Sequence, residues 1–212
     1  MYLAEFLTIA IAHLVAVASP GPDFAIVMRH SIRHGRRGGV WTSSGIALGI
    51  LLHCGYCVLG VGVLLSTTPV LFNTVKVVAA IYLVLLGYRA IQASRRSAVH
   101  LAEPVQPDSE SPWKWLVTGF LTNGLNPKAT LFFLALFTVI IDIQTPVAVQ
   151  ALYGIYLSLA TFAWFALLSV VLGIAGIRSS LLRAGAWFER LMGLVLIGLG
   201  VQLVVSLPPV SG

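Results

Sequence analysis

Hydrophobic residues occupy long, continuous runs along this chain, and polar residues are confined to shorter segments between them. A helix of about 20 apolar residues crosses a bilayer, because each residue advances the helix by about 1.5 Å. Six runs are long enough to do so, at about residues 3–28, 40–65, 69–92, 113–141, 146–177 and 187–207. The runs are continuous and do not alternate as barrel strands do. The pattern therefore predicts an all-α, polytopic membrane protein with six transmembrane helices.

Composition supports the same class of protein. The chain is 58% hydrophobic and 9% charged, with a mean hydropathy of +0.95, whereas a soluble domain is about 25% charged. We therefore predict a single transmembrane domain over residues 1–212. The longest polar stretch, 94–112, is rich in proline and acidic residues and indicates an exposed linker between two halves, 1–93 and 113–212.

The net charge of +6 comes from basic residues that are clustered in three of the predicted loops. These clusters are Arg29, Arg33, Arg36 and Arg37, then Arg89, Arg95, Arg96 and Lys114, then Arg178, Arg183 and Arg190. Basic loops of membrane proteins remain in the cytoplasm. With six spans, both termini are then predicted to lie outside. Topology accounts for the charge, so no nucleic-acid partner is predicted.

Two polar interruptions stand inside apolar runs: Ser19-Pro20-Gly21-Pro22-Asp23 in the first run and Asn126-Pro127-Lys128 in the fourth. Proline lacks a backbone donor and clashes with the carbonyl four residues earlier. The carbonyls released in this way are those of Ala16, Ala18 and Asn123. Within a bilayer such groups are buried in protein or line a wet cavity. Broken helices that carry charges are typical of transport sites.

The two halves of the chain share short patterns. Leu83–Gly87 is similar to Leu194–Gly198, which begins 111 residues later (83 to 194), and Pro22 and Pro127 are 105 residues apart. A duplicated unit with an odd number of spans inserts its second copy upside down. The pattern thus predicts two inverted three-helix repeats, with Asp23 and Lys128 near one pseudo-twofold axis.

Several motifs resemble a known family. Ser-Pro-Gly-Pro-Asp-Phe at 19–24, Arg-His-Gly-Arg-Arg-Gly-Gly at 33–39, Gly45 and Gly49 are similar to the first signature of the LysE/RhtB family of amino-acid exporters. Leu121–Ala129 is similar to the second signature, and the resemblance runs from end to end. The combination is most similar to the threonine-efflux branch. The resemblance implies proton-driven export of small, threonine- or homoserine-like amino acids through a bacterial inner membrane, without a cofactor.

The residues at the two breaks suit a zwitterionic substrate. Asp23 is the acidic residue that lies well inside a predicted span, and its carboxylate can hold a proton or a substrate ammonium group. Lys128 can hold the substrate carboxylate, and the two asparagines offer amide donors and acceptors. The candidate substrate and proton pathway consists of Pro20, Gly21, Pro22, Asp23, Asn123, Asn126, Pro127 and Lys128.

Other interpretations of these residues remain open. Asp23 and Lys128 are also explained as a structural ion pair, the prolines as helix kinks, and Asp23 as a solvated cap of the following helix. A metal or small-ion exporter of the same architecture is the alternative function. The chain shows no nucleophile with a base and no metal-binding motif of an intramembrane enzyme, so no catalytic residue is predicted. The sequence leaves open whether copies associate as a homo-oligomer.

Further polar and aromatic residues in the spans have a structural interpretation. The Cys54-Gly55-Tyr56-Cys57 motif lies in mid-span, and we predict that its thiols pack in the interior. His13 and His53 are predicted to make polar contacts between helices. For Trp164 the sequence leaves open a place in the helix packing or in a substrate cavity. Four tryptophans lie near span ends, where interfacial aromatic residues belong: Trp41, Trp113, Trp115 and Trp187.

Overall fold

The computed structural model describes residues 2–19, 21–66, 69–93, 111–142, 144–172 and 175–205, and these are helical with short connections. The helices are α1 (Tyr2–Ala18), α2 (Pro22–Ser66), α3 (Pro69–Ala93), α4 (Pro112–Gly124), α5 (Pro127–Ala135), α6 (Val147–Val171) and α7 (Ala175–Val205), with a π-helical turn (Leu136–Ile140) directly after α5. By length and composition, two of the described segments can cross a membrane, Pro22–Gly60 and Val147–Val171. The predicted linker lies outside the described residues except for Ser111 and Pro112.

The two predicted helix breaks are present, and each separates two distinct helices. α1 ends at Ala18 and α2 begins at Pro22, while α4 ends at Gly124 and α5 begins at Pro127. Proline suits the first position of a helix, where its missing N–H leaves no hydrogen bond unmade. Pro22 and Pro127 therefore begin new helices, and the kink interpretation is wrong for these two prolines.

The loop predicted around Arg29–Arg37 is wrong in form, because this segment is helical. It belongs to α2, which bends sharply at Gly35 with φ 67° and ψ −171°. That conformation is open to glycine and strained for other residues. His30 and Thr42 meet across the bend, with 2.6 Å between Nδ1 and Oγ1. The basic cluster therefore lies on two helical arms, 22–34 and 36–66, joined at a single residue.

The third basic cluster also lies in a helix. The last span was predicted to begin near residue 187, but α7 begins at Ala175 and includes Arg178, Arg183 and Arg190. Arginine is a good helix former, and no proline interrupts this segment. The helix therefore continues through the polar segment, which was predicted as a loop because of its charge.

Glycines bring the long helices into direct backbone contact. α2 packs mainly on α4 and α6, whereas α3 packs mainly on α7. A Cβ added at Gly45 would overlap the Leu116 carbonyl of α4, and one added at Gly119 would overlap the Thr42 carbonyl of α2. Small residues allow helices in membranes to approach in this way. The crossing of α2 and α4 thus depends on the absence of side chains.

Gly87 and Gly193 make a reciprocal contact between α3 and α7. A Cβ at Gly87 would lie 2.5 Å from the Gly193 carbonyl oxygen, and a Cβ at Gly193 would lie 2.6 Å from the Gly87 carbonyl oxygen. Both distances are shorter than real Cβ contacts. Neither helix therefore has room for a side chain at this crossing.

Two apolar clusters lie beside the helix breaks. One is centred on Phe132 and Phe133 of α5 and extends to α3, α6 and α7. The other joins Phe24 of the first α2 arm to Phe165 of α6. In contrast, large apolar side chains on the outer face of α1 are exposed, as expected for a helix that faces lipid: Leu3, Leu7, Ile11 and Leu14.

The tryptophans divide between surface and interior. Trp41, Trp113 and Trp187 are exposed, as the interfacial prediction requires. Trp115 is buried and its ring lies 4.9 Å from that of His34, so it packs against the α2 bend and does not face the interface. Trp164 is partly buried against the cluster around Phe24 and Phe165, which answers its open assignment in favour of packing.

Candidate functional site

The two helix breaks, about 100 residues apart in the chain, meet in the interior of the fold. Asp23 Oδ2 accepts a hydrogen bond from Asn123 Nδ2 at 2.9 Å and a longer one from Asn126 Nδ2 at 3.5 Å. Lys128 Nζ donates to Ser19 Oγ at 3.0 Å. Each break therefore supplies polar groups that bind the other break.

A partly open cavity lies where the breaks meet, with about 50 Å³ available to the centres of water-sized molecules. Six of the eight candidate residues line it: Gly21, Pro22, Asp23, Asn123, Asn126 and Lys128. Pro127 begins α5 between two of these residues and is exposed, and Pro20 lies outside the described residues. Sequence reasoning thus identified most of the polar wall of the cavity.

The charged groups at the cavity follow the same local pattern in both breaks. Asp23 and Lys128 each come directly after the proline that begins a helix. The partial positive charge of a helix N-terminus stabilises an anion such as Asp23 and opposes a cation such as Lys128. Lys128 therefore gains from a nearby anion, and Asp23 lies close enough to attract it.

Hydrogen bonding at Asp23 is incomplete. Its Oδ2 is occupied by the two asparagines, whereas Oδ1 is buried and has no hydrogen-bond partner among the described residues. A buried carboxylate oxygen without a donor is unfavourable by about 1–3 kcal/mol or more. Asp23 therefore keeps acceptor capacity that no described residue fills.

Apolar and aromatic side chains form the remainder of the cavity wall. Phe24, Phe132, Phe133, Phe165 and Met192 line it together with small residues of α1. None of these residues was predicted for the pathway: Phe24 ends the motif at 19–24, but phenylalanine is common in the apolar runs and carries no polar signal. They give the cavity an apolar wall beside its charged groups.

The two histidines make the interhelical polar contacts that were predicted for them. His13 Nε2 lies 2.9 Å from Thr161 Oγ1, and both residues line the cavity. His53 Nε2 donates to the Asn123 carbonyl oxygen at 3.0 Å. The release of that carbonyl by Pro127 was visible in the sequence, but the side chain that binds it was not.

Glu5 makes a separate polar cluster at the other end of α1. Its carboxylate accepts hydrogen bonds from the Asp142 backbone N–H at 2.7 Å, from Thr145 Oγ1 at 3.1 Å and from Tyr153 OH at 3.1 Å. These bonds connect the start of α1 to the turn before α6 and to α6 itself. No local sequence pattern indicates these partners of Glu5.

The cysteines are structural. Cys54 and Cys57 are free, buried and part of the apolar cluster around Phe133, so the packing prediction is confirmed. Within the described part of the chain, no three His, Cys, Asp or Glu side chains converge in a group suited to a metal ion.

Comparison with known proteins places the chain in a family. Residues 14–207 match the LysE type translocator family. The threonine efflux protein of Escherichia coli K12 is 27% identical over 206 residues, which cover 96% of this chain and 99% of the relative. The leucine efflux protein of Klebsiella pneumoniae is 31% identical over 207 residues, with 94% of each chain covered.

No solved structure matches this chain. The family match spans nearly the whole sequence, and the family resemblance that the helix-break motifs indicated is confirmed. Members of this family are membrane translocators and not enzymes, and amino-acid efflux is the activity of the named relatives. The chain belongs to the LysE family of translocators.

Proposed function

We propose that this protein exports small amino acids, of the threonine or homoserine type, across the bacterial inner membrane in exchange for protons. Family membership and the names of the threonine and leucine efflux relatives support this function. One observation carries the proposal: a carboxylate and an ammonium group from two separate helix breaks line a single cavity. An amino acid carries an ammonium group, which can pair with the Asp23 carboxylate, and a carboxylate, which can pair with the Lys128 ammonium group.

The substrate ammonium group binds Asp23. Its donors satisfy Oδ1, the oxygen that has no partner among the described residues, while the two asparagines continue to hold Oδ2. A charge-assisted hydrogen bond of this kind is about twice as strong as a neutral one. The ammonium group thus recovers much of what it loses when it leaves water.

The substrate carboxylate binds Lys128. An anion beside Nζ compensates for the unfavourable position of this cation at the start of α5, and the same helix N-terminus attracts the anion. Lys128 Nζ lies at the wall of the cavity, where it donates to Ser19 Oγ. The aromatic wall formed by residues such as Phe132 and Phe165 receives the substrate side chain.

Proton exchange follows from competition at one carboxylate. Asp23 binds an ammonium group as an anion, and protonation removes that anion. Substrate and proton therefore exclude one another at Asp23. If Asp23 carries the substrate outward and a proton inward, the result is antiport.

We also propose the predicted architecture of six spans in two inverted repeats, with both termini outside. The likeness of the two breaks supports it: in each, a helix ends, a proline begins the next helix, and a charged residue follows. Sites between inverted repeats lie near the middle of the membrane. Cysteine-accessibility mapping of the loops checks this topology, and an exposed cytoplasmic N-terminus would contradict it.

Counterflow in proteoliposomes tests the function. Proteoliposomes that contain the purified protein are loaded with one unlabelled amino acid at a time from a panel. Uptake of the same amino acid in labelled form is then followed at equal and at unequal pH across the membrane. Asp23→Asn is expected to insert normally and to lose pH-driven transport. Asp142→Asn, which alters an exposed carboxylate distant from the cavity, is the matched control. Normal pH-driven transport by Asp23→Asn would refute the role of Asp23.

A double variant separates the substrate site from a structural ion pair. If Asp23 and Lys128 only neutralise each other, replacement of both by neutral amides is tolerated, because no unpaired charge remains. We expect Asp23→Asn combined with Lys128→Gln to fold and yet transport no amino acid. Restored transport in the double variant would support the structural pair. A metal-resistance assay on the same variants tests the alternative of ion export.

A further inference from the structure

We propose that His53 is a positioning residue that holds the α4–α5 break and thereby orients Asn123 and Asp23 for the substrate. The inference rests on the proposed function of the cavity. His53 lies on α2, is fully buried and is not among the residues that line the cavity. It acts on the site through Asn123.

The first step is the carbonyl that Pro127 cannot bind. In an uninterrupted helix the N–H of residue 127 would donate to the carbonyl of Asn123, and proline has no N–H. Instead, the Asn123 carbonyl oxygen accepts hydrogen bonds from the Asn126 N–H at 2.9 Å and from His53 Nε2 at 3.0 Å. A side chain of α2 thus replaces the missing backbone donor.

The imidazole of His53 is itself fixed on two further sides. A carbonyl oxygen can only accept, so Nε2 carries the proton, and in the neutral ring Nδ1 accepts from the Tyr56 hydroxyl. The ring stacks on Phe133 of α5 with 5.5 Å between centroids and 6° between planes. The donor is therefore held in one orientation against the break.

Gly49, one helical turn before His53, supports the side chain of the same asparagine. A Cβ added at Gly49 would lie 2.5 Å from Asn123 Oδ1 and 2.9 Å from Asn123 Cβ. The missing side chain of Gly49 thus leaves space for the Asn123 side chain, while His53 binds the Asn123 carbonyl. With both held, Asn123 Nδ2 reaches Asp23 Oδ2 at 2.9 Å.

His53 on α2 thus influences substrate binding indirectly: it positions Asn123, and Asn123 positions Asp23. Asn123 occupies one oxygen of Asp23 and leaves the other for the ammonium group. Loss of the His53 donor frees the Asn123 carbonyl to seek another partner, and the Asn123 amide then no longer holds Asp23 in one orientation. Misplacement of a binding group by about 1 Å is enough to lower an activity strongly.

Two variants of His53, one variant of Gly49 and one control variant test the proposal. His53→Phe keeps a ring against Phe133 and removes the donor, whereas His53→Gln keeps an N–H donor on a side chain of similar reach. We expect His53→Phe to raise the substrate concentration for half-maximal counterflow about tenfold, which is the scale of one lost hydrogen bond. We expect His53→Gln, which keeps the donor, to stay close to the wild-type value. Gly49→Ala displaces the Asn123 side chain and is expected to resemble His53→Phe, while Gly55→Ala, which meets no described atom within 4 Å, is its matched control.

The outcomes separate this inference from its alternatives. A purely structural His53 lowers the amount of folded protein and the maximal rate, and leaves the half-saturating concentration unchanged; that result overturns the proposal. Equal defects in His53→Gln and His53→Phe also overturn it, as does an unchanged half-saturation in Gly49→Ala. If the wild-type protein shows no amino-acid counterflow, the proposed function itself fails, and if Asp23→Asn transports normally, the role of Asp23 fails. If Asp23→Asn fails to transport while His53→Phe behaves like the wild type, only the role of His53 fails.

Discussion

The crossing of α2 and α4 at Gly45 offers a sharp test of how helix packing supports the cavity. The substitution Gly45→Ala adds one methyl group that overlaps the Leu116 carbonyl oxygen and lies 2.7 Å from the Phe120 backbone nitrogen. Ordinary contacts begin at 3.4 Å, so relief of the Phe120 contact alone requires α4 to retreat by 0.7 Å (3.4 − 2.7), and relief of the overlap with the Leu116 carbonyl requires more. Both obstacles are backbone, so no side-chain rotation relieves the contact.

The retreat has a cost in stability and a cost at the site. Overpacking of this kind lowers the free energy of unfolding by about 1–3 kcal/mol. Asn123 lies further along α4, and a displacement of 0.7 Å directed along its 2.9 Å hydrogen bond to Asp23 would lengthen that bond to about 3.6 Å, which is too long to count as a bond. Loss of this hydrogen bond to a charged group costs the folded protein about 1.5–3 kcal/mol. Asp23 is then no longer held in one orientation, so the half-saturating substrate concentration should rise.

Two measurements check this expectation. Thermal unfolding in detergent reports stability, and amino-acid counterflow in proteoliposomes reports the half-saturating concentration. Gly55→Ala, on the same helix but with no described atom within 4 Å of the added carbon, should leave both unchanged. A Gly45→Ala protein with wild-type stability and transport would refute the packing argument. Lower stability with unchanged half-saturation would refute the connection from the crossing to Asp23.

Two further predictions concern groups away from the cavity. Glu5→Ala leaves the Asp142 N–H, the Thr145 hydroxyl and the Tyr153 hydroxyl without their shared acceptor, so the free energy of unfolding in detergent should fall by about 1.5–3 kcal/mol, against about 1 kcal/mol for Tyr153→Phe; equal losses would contradict the shared-acceptor account. Because Cys54 and Cys57 are only 4% and 2% exposed, a maleimide should label them only after unfolding, and rapid labelling of the folded protein would contradict their burial.

Sequence reasoning located the two helix breaks because two residue types have unambiguous local effects. Proline at 22 and 127 cannot continue a helix, and a charged residue within an apolar run requires a polar partner. Together these rules placed both breaks and most of the polar cavity wall. They required no knowledge of which helices are neighbours.

The features that were missed depend on contacts between distant segments. The bend at Gly35 was expected as a loop because charge was taken to exclude helix, although arginine favours it. The pairing of His53 with the Asn123 carbonyl follows from the docking of α2 on α4, which no local pattern specifies. The Glu5 cluster likewise joins residues that are 137 to 148 positions apart in the chain. Each of these contacts is a property of tertiary packing.

The bare-backbone contact between Gly87 and Gly193 has a mechanical consequence. Because the carbonyl oxygen of each glycine lies where the side chain of the other would stand, the backbones of α3 and α7 are packed directly together, and sliding one helix past the other would disturb this main-chain packing. In a transporter that opens alternately to the two sides of the membrane, α3 and α7 are therefore expected to move together as one rigid unit. The surface that shears then runs along the sparser contacts of the pair with α1, α2 and α5, so the cavity lies next to the seam that opens.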